Sequence, residues 1–351
     1  MTNNLTVIIP THERHHLLSR ALHYYSSINV SVLIVDSSLR AFKEKIPDNI
    51  NYLHLADAIM GEKIYAALNE INTLFVCLCA DDDFLSENGL KQGLKFLKKN
   101  LDFVGVQGQY INFDASNLES INPMYIDCIN YSNTANDISE RYQNCFSAPY
   151  VYALHRTKVL KHCFEITLEL SSLSLVEICI PLVSLLLGKQ KTLPIFWEAR
   201  DRVRYSKYLN IEGSDYSLNK PDANINIDTP PSVVVEDWGV YLCSTEGVQF
   251  RKNFILKATN LVGNSINANE LFELAFDSMP LKKVDFSLLT LNDKVRYVLK
   301  KILPNSIVKK IKSKKVENFI KLNINSGFPW NDENARNDWN LIKKTIVKFP
   351  L

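Results

Sequence analysis

The sequence contains no C-x-x-C pair, although seven of its 351 residues are cysteine. Cys77, Cys79 and Cys179 lie in apolar runs, where a free thiol behaves as a small buried hydrophobic group. This pattern favours a reducing compartment over a framework of disulfide bonds. The chain also lacks a strong net charge, because its 40 Lys and Arg residues nearly balance its 38 Asp and Glu residues and the formal charge is +2. The average charge therefore gives no indication of a nucleic-acid partner, and we expect none.

The chain also lacks an apolar segment long enough to cross a bilayer. Its longest apolar run, residues 178–187, contains Pro181 and Ser184 and falls well short of the roughly 20 residues that a membrane helix needs. The N-terminus, Met1 to Asn4, is polar and leads directly into a predicted strand, so we expect no secretory signal. These absences predict a cytoplasmic protein that is either soluble or attached to the inner face of the membrane.

Short apolar runs alternate with helical patterns over the first third of the chain. Strands are predicted at residues 5–10, 32–35, 50–55, 74–80 and 103–107. The segments between them carry apolar residues at helical spacing, for example Ile64, Leu68 and Ile71. Strands that alternate with helices of this length indicate βαβ units, and hence an α/β fold with a mostly parallel sheet flanked by helices.

Three consecutive carboxylates, Asp81, Asp82 and Asp83, directly follow the strand predicted at residues 74–80. They repel one another unless they are solvated or a cation neutralises them. Hard cations such as Mg²⁺ and Mn²⁺ bind carboxylate oxygens and share their remaining positions with phosphate oxygens. The spacing alone leaves two interpretations open. One is a site for a metal and a diphosphate, and the other is an acidic turn that caps the next helix.

Two further strand ends carry polar side chains. Thr11-His-Glu-Arg14 follows the first strand, and Asp36 follows the second. Right-handed crossovers bring the carboxyl ends of parallel strands to one edge of the sheet, where open α/β sheets bind their ligands. We therefore expect these residues to line a single crevice with the three carboxylates.

The pattern becomes irregular from residue 110 to residue 148, where Asn, Ser, Asp and Tyr dominate. We predict an irregular excursion that either covers the site or receives the acceptor. Regular secondary structure is predicted again after this excursion, with a strand at residues 150–156 and a very apolar helix at residues 173–187. Glu177 lies within this helix between two aliphatic residues. A carboxylate in such surroundings is costly unless it has a partner or a chemical task.

The C-terminal part of the chain is predicted to be mainly helical over residues 233–351, after a polar linker or surface loop with three prolines at residues 210–232. Residues 291–315 hold nine Lys or Arg against one acid, with an apolar stripe between the basic residues. A basic amphipathic helix can make a peripheral contact with an anionic membrane. A helix packed on the domain with a solvated lysine face has the same pattern, and the short stripe slightly favours it.

Five short motifs occur in order along the first part of the chain. They are Val7-Ile-Ile-Pro-Thr-His-Glu-Arg14, Val35-Asp-Ser-Ser38, Gly61 with Lys63 and Asn69, Cys79-Ala-Asp-Asp-Asp-Phe84, and Tyr150-Val-Tyr-Ala-Leu-His-Arg-Thr157. Together they resemble family-2-like glycosyltransferases of the GT-A fold over about residues 4–205. The resemblance implies a GT-A domain at residues 1–209, with residues 110–148 on the acceptor side. It also implies inverting transfer from a nucleotide-sugar donor to a glycan or lipid-linked saccharide acceptor, in bacterial surface polysaccharide synthesis.

The resemblance implies a role for each matching residue. The donor side comprises Thr11, Arg14, Asp36, Lys63, Asp82, Arg200 and Arg202. Within that set, Thr11 and Arg14 would border the nucleotide, and Asp36 would hydrogen-bond the base or ribose. Arg200 and Arg202, together with Arg204, would hold the leaving phosphates. Asp81 and Asp83 would bind a divalent cation, Mn²⁺ or Mg²⁺, and through it the diphosphate. Glu177 would be the catalytic base that takes the proton of the acceptor hydroxyl.

Each assignment has a structural alternative. Asp36 could be a turn residue, Glu177 could pair with an arginine in the core, and the arginines could form a solvated strand edge. Cys79 occupies the first position of the family's Asp-x-Asp motif, so the metal register is either Asp81 alone or Asp81 with Asp83. Two other functions also stay open: a nucleotidyl- or sugar-phosphate transferase, and a non-catalytic nucleotide-sugar-binding module of a glycan assembly complex.

Overall fold

The computed structural model describes residues 4–113, 123–127, 131–143, 150–201, 244–263, 266–277 and 331–349, together with residues 115, 121, 145 and 329. The strands within these residues are β1 (Leu5–Thr11), β2 (Ser31–Asp36), β3 (Ile50–His54), β4 (Phe75–Leu78), β5 (Phe84–Leu85), β6 (Phe103–Phe113), β7 (Pro123–Asp127), β8 (Leu154–Arg156) and β9 (Lys189–Asp201). The helices are α1 (His15–Ser26), α2 (Met60–Glu70), α3 (Glu87–Lys99), α4 (Ile138–Tyr142), α5 (Thr157–Ile166), α6 (Leu173–Leu187), α7 (Thr245–Val262), α8 (Ala268–Asp277) and α9 (Glu333–Lys348).

The described strands join one sheet in the order β3-β2-β1-β4-β8-β6-β9-β5, with β7 paired to β6. Helices flank the sheet, and the described C-terminal residues are helical, so the expected α/β fold is confirmed. Parallel pairing is limited to β3-β2-β1-β4 and to β6 with β9, because β8 enters antiparallel to both β4 and β6. The sheet is therefore more mixed than the alternation of strands and helices predicted.

The middle of the chain is also more regular than predicted. The strand expected to end at residue 107 continues to Phe113, where β6 pairs with both β7 and β9. The strand expected at residues 150–156 is limited to Leu154–Arg156, because residues 151–153 form a turn. The predicted excursion at residues 110–148 therefore contains sheet and a short helix, α4, in its described parts.

Two cores form on opposite faces of the sheet because side chains alternate along a strand. On β1, Val7 and Ile9 contribute to the core beneath α1, α3 and α9, whereas Ile8 contributes to the core beneath α2, α5 and α6. Helices α7 and α8 add Phe250 and Phe272 to this second core. The helices that follow β1 and β3 therefore cover opposite faces, as in doubly wound sheets.

Two glycines are required by close packing of the backbone. A Cβ at Gly61, near the start of α2, would lie 2.0 Å from the carbonyl oxygen of Thr167. Gly188 follows the last residue of α6, and its φ of 171° is extended backbone that any residue adopts. A Cβ there would instead lie 2.5 Å from a methyl group of Val104. Both glycines let a helix end approach a neighbouring segment directly.

Helix α9 shares the core of the N-terminal sheet, although it comes more than 130 residues after β9. Ala335, Trp339, Ile342 and Ile346 recur at helical spacing and are buried. The ring of Trp339 packs edge-on against Phe113 of β6, with the centroids 5.8 Å apart. The predicted division at residue 209 stays a prediction, but α9 belongs structurally to the first core.

Several predicted features lie outside the described residues. They are the linker at 210–232, the basic stripe at 291–315, and the side chains of Arg202 and Arg204. The described helices include none with the length and apolar character needed to cross a membrane.

Candidate active site

The candidate site lies where the order of the strands changes direction. The chain passes from β1 outward to β2 and β3, and then returns to pair β4 on the other side of β1. Ligands of open α/β sheets bind at such a point, outside the carboxyl ends of the strands. Thr11 and Asp36 are register partners at this edge, and the acidic turn, Asp81–Asp83, follows β4. The structure therefore brings together the strand ends that the sequence singled out.

One side of the acidic turn is bound to the end of β1. The hydroxyl of Thr11 donates a 2.7 Å hydrogen bond to Oδ2 of Asp81. The guanidinium of Arg14, just before α1, lies 3.2 Å from Oδ1 of Asp81 and 2.5 Å from Oδ2 of Asp82. Burial raises the pKa of Asp81 to about 6, although the charge of Arg14 opposes this shift. One guanidinium therefore only partly offsets the negative charge of the turn.

The other side of the turn is bound to the end of β9. The backbone N–H of Asp201 donates a 2.9 Å hydrogen bond to Oδ1 of Asp83. Arg20 of α1 donates to the carboxylate of Asp201 at 2.8 Å and to the carbonyl of Asp82 at 3.3 Å. This ion pair was not predicted from the sequence. Its signal was a charged residue on the apolar face of α1, three positions after Leu17.

The turn can accommodate a divalent cation that is shared with a substrate phosphate. Both oxygens of Asp81 already contact Thr11 and Arg14. Asp82 and Asp83 each have one carboxylate oxygen beyond those bonds, and Mg²⁺ commonly binds one or two carboxylates together with phosphates. The described residues contain no cluster of three or more His, Cys, Asp or Glu that could hold a metal alone. The assignment of the metal to Asp81 and Asp83 stays a prediction, and Asp82 and Asp83 are the two carboxylates of the turn that each have an oxygen left for a cation.

Electrostatics at Asp83 favour a cation nearby. Burial raises the pKa of Asp83 well above its usual range, and the negative charges of Asp82 and Glu198 raise it further. The positive charge of Arg200 opposes this shift. Because the carboxylates outweigh this guanidinium, added positive charge would stabilise the ionised form of Asp83.

Asp36 is buried and fully engaged by protein groups. Oδ1 accepts a 2.8 Å hydrogen bond from the backbone N–H of Ser38. Oδ2 lies 2.6 Å from the hydroxyl of Tyr52 and 2.7 Å from Nε2 of His15. The carboxylate therefore lies at the predicted edge but inside the protein, with a 0% exposed side chain.

Lys63 is also buried at this edge of the sheet. Its side chain is 1% exposed, and Nζ donates to the carbonyl of Thr11 at 3.1 Å and to the hydroxyl of Ser37 at 3.0 Å. The ammonium group joins the ends of β1 and β2, and its charge lowers the pKa of Asp81. Lys63 therefore stabilises this edge of the sheet through buried hydrogen bonds to the ends of both strands.

Arg200 is held rigidly beside Asp83. Its Nε donates a 2.9 Å hydrogen bond to the buried carboxylate of Glu198, two residues earlier on β9. Its guanidinium carbon lies 3.9 Å from the ring centroid of Tyr110 and 5.1 Å from that of Tyr152. Such stacking is favourable and leaves the outer edge of the guanidinium for an anion. Arg200 was predicted from the sequence, but the two rings were not, because they come from distant segments.

Glu177 lies on α6, near the same cluster. Burial raises its pKa, as its apolar neighbours predict, and the charge of Arg200 opposes the shift. Tyr152 feels the charges of both Glu177 and Asp83, which add to the effect of burial in raising its pKa. No hydrogen bond or ion pair to another described residue engages Glu177. A half-buried carboxylate with a raised pKa and no such partner is suited to accept a proton.

Comparisons with known proteins add little to this picture. No protein-family profile matches the sequence, and no curated protein matches it. Among solved structures, S. aureus TarS 1–349 in complex with UDP-GlcNAc has 12% sequence identity and a TM-score of 0.48, covering 99% of this chain and 90% of that chain. The same TarS segment with UDP has 13% identity and a TM-score of 0.41, covering 79% and 89%. A likeness at this level supports no assignment of function.

Proposed function

We propose that the protein is a nucleotide-sugar-dependent glycosyltransferase that transfers a sugar with inversion to a glycan or lipid-linked saccharide. The single observation that carries this proposal is the proximity of three groups at one edge of the sheet. Arg14 contacts the acidic turn, Arg200 lies beside Asp83, and Glu177 lies near Arg200. We propose bacterial surface polysaccharide synthesis at the inner face of the membrane as its setting.

The donor diphosphate would bind between Arg14, Arg200 and a cation on Asp82 and Asp83. A guanidinium binds phosphate oxygens through several donors in one plane, and Arg200 is already oriented by Glu198. A divalent cation would supply further positive charge at the phosphates when bound. Fixed positive groups at this position stabilise the negative charge that develops on the departing nucleotide.

Glu177 would act as the general base. Its carboxylate takes the proton of an acceptor hydroxyl while that oxygen forms a bond to the anomeric carbon. The bond from the anomeric carbon to the diphosphate oxygen breaks, and the electron pair leaves with the nucleoside diphosphate. A raised pKa suits this role, because a base whose pKa lies nearer the working pH accepts the proton more readily.

The test is a screen of the purified chain against nucleotide sugars with and without Mn²⁺. UDP-GlcNAc would be one of the donors in the set. We expect at least one donor to raise the melting temperature and to release its nucleoside diphosphate slowly in the absence of an acceptor.

Product analysis separates the alternatives. Release of a sugar phosphate would indicate a nucleotidyl- or sugar-phosphate transferase instead. Binding of a donor without turnover, even with saccharide acceptors added, would indicate a non-catalytic module. Failure of every nucleotide sugar to shift the melting temperature or to be cleaved would contradict the proposal altogether.

A further inference from the structure

We propose that His15, and not Asp36, contacts the nucleobase of the donor, and that the outer ring nitrogen of His15 selects a base with an N–H group on its pairing edge. This inference rests on the proposed function and names the class of base for the same site. It follows from three observations on Asp36, on the proton of His15, and on the position of the ring.

The first observation is that Asp36 has no oxygen available to a ligand. Its side chain is 0% exposed, and its two oxygens accept from Ser38 N–H, from the Tyr52 hydroxyl and from His15. Burial alone would raise the pKa of Asp36, but these hydrogen bonds lower it below the usual value. Asp36 is therefore ionised at neutral pH, and an ionised carboxylate only accepts hydrogen bonds.

The second observation concerns the proton of His15. Because Asp36 only accepts, Nε2 of His15 must carry the hydrogen in their 2.7 Å contact. A neutral imidazole with its hydrogen on Nε2 presents Nδ1 as an acceptor. In the neutral ring, the buried carboxylate therefore selects the tautomer in which Nδ1 is an acceptor.

The third observation compares the three partners of Asp36. Of these, His15 is the one that has both an exposed side chain and a polar atom without a partner among the described residues. Its side chain is 30% exposed, and Nδ1 has no hydrogen-bond partner among the described residues. The hydroxyl of Tyr52 donates to Asp36 and accepts from the backbone N–H of Phe42 at 2.8 Å. The backbone N–H of Ser38 is used by Asp36 itself.

The ring of His15 is held in this orientation. It packs edge-on against Phe42, with the centroids 5.3 Å apart and an interplanar angle of 80°. His15 directly follows Arg14, whose guanidinium contacts the acidic turn. A donor whose diphosphate binds at that turn would extend its nucleoside along the edge towards the end of β2, where His15 contacts Asp36.

An acceptor at Nδ1 distinguishes the bases. Uracil and guanine carry an N–H at the central position of the pairing edge, whereas cytosine and adenine carry an unprotonated nitrogen there. The second type would place two acceptors against each other at this point. A site built to bond an N–H rejects the analogue that lacks it, because its own acceptor is left unpaired.

The test is calorimetric binding of UDP, GDP, CDP and ADP to the wild-type chain and to variants. We expect UDP or GDP to bind at least about tenfold more tightly than CDP or ADP, the size of one good hydrogen bond. His15→Ala should weaken the preferred nucleotide about tenfold and change CDP by less than about twofold, so that the preference disappears.

Two further variants separate recognition from structural support. His15→Gln offers an N–H towards Asp36 and a carbonyl oxygen outward, so we expect it to restore part of the preference. Tyr52→Phe removes a different hydrogen bond from Asp36 and should weaken all nucleotides equally, leaving their ratio unchanged. Thermal unfolding of each variant establishes that it is folded.

The outcomes separate this inference from the proposed function. Equal weakening of UDP and CDP by His15→Ala, or no weakening of either, would overturn the role of His15 while nucleotide binding stands. A wild-type preference for CDP or ADP would overturn it as well. Failure of the wild-type chain to bind any of the four nucleotides would instead remove the proposed function and this inference together.

Discussion

The guanidinium of Arg20 lies 2.8 Å from the carboxylate of Asp201, although 181 positions separate the two residues and both side chains are buried. Arg20 also bonds the carbonyl of Asp82, and the backbone of Asp201 bonds Asp83. One ion pair thus joins α1, β9 and the acidic turn. The position of the turn is therefore determined from two sides, by this pair and by Thr11.

Arg20→Met is expected to destabilise the protein by about 3–5 kcal/mol, because it leaves Asp201 buried without its counter-ion. The measurement is urea unfolding at neutral pH. The double variant Arg20→Met/Asp201→Leu should recover part of the loss, since it leaves no unpaired charge. A double variant as unstable as the sum of both single variants would contradict this account of the pair.

Asp83→Asn is expected to remove the effect of Mn²⁺ on nucleotide binding. Asp81→Asn should weaken binding to a similar extent with and without Mn²⁺, because Asp81 is engaged by Thr11 and Arg14. Calorimetry with Mn²⁺ or with EDTA measures both effects. If Asp81→Asn abolished the response to Mn²⁺ while Asp83→Asn kept it, the cation would belong to Asp81 instead.

Glu177→Gln is expected to lower turnover by about 10²–10⁴-fold, because an amide cannot take the proton of the acceptor hydroxyl. Nucleotide affinity should stay within about twofold of the wild type, since the change is nearly isosteric. Glu169→Gln, an exposed position just before the same helix, is the matched control and should leave both quantities unchanged. Undiminished turnover in Glu177→Gln would remove the base assignment.

The burial of His155 predicts that the folded protein loses stability in mild acid. The residue is 0% exposed, and burial lowers its pKa from 6.5 to about 4, against the effect of its hydrogen bond to Tyr150. Between these values the unfolded chain binds a proton that the folded chain does not. Stability is therefore complete above about pH 6.5 and falls as the pH drops towards 4, by about 3 kcal/mol in total.

The control for this prediction is His155→Gln, which keeps an N–H donor for the carbonyl of Tyr150 but does not titrate. Urea unfolding of both proteins from pH 7 to pH 4 gives the comparison. The wild type should lose more stability than the variant across this window. Parallel curves would mean that His155 is not the group responsible.

Trp339→Ala is expected to destabilise the protein by about 3–5 kcal/mol, as truncation of a large core residue does. Trp339 is 4% exposed and packs on Phe113 of β6, so the loss would show that α9 stabilises the N-terminal sheet. Val347→Ala, at a 52% exposed position of the same helix, should change stability by less than about 0.5 kcal/mol. A small effect of Trp339→Ala would place α9 outside the cooperative unit.

The strand ends could be predicted because they depend on local patterns. Apolar runs that stop at Thr11, Asp36 and Asp81 predicted the edge, and parallel pairing of β1 with β2 and β4 brings these residues together. The helix at Leu173–Leu187 also follows from neighbouring residues. Short-range periodicity carries this information directly.

The partners of these residues could not be predicted. Nothing near Arg20 in the chain indicates Asp201, and nothing near Arg200 indicates Tyr110 or Tyr152. The antiparallel entry of β8 between β4 and β6 was missed for the same reason. Pairing across long separations depends on which segments the folded chain brings into contact, and no local pattern encodes it.

The α/β alternation, the carboxylates after β4 and the position of Glu177 in an apolar helix are all readable from the amino-acid order, because each depends on residues close together in the chain. The folded structure was needed to show that Asp36 is buried against His15, that Arg14 pairs with Asp81, and that α9 completes the first core. Burial and hydrogen-bond saturation depend on the surroundings of a group, and those surroundings come from segments far apart in the sequence.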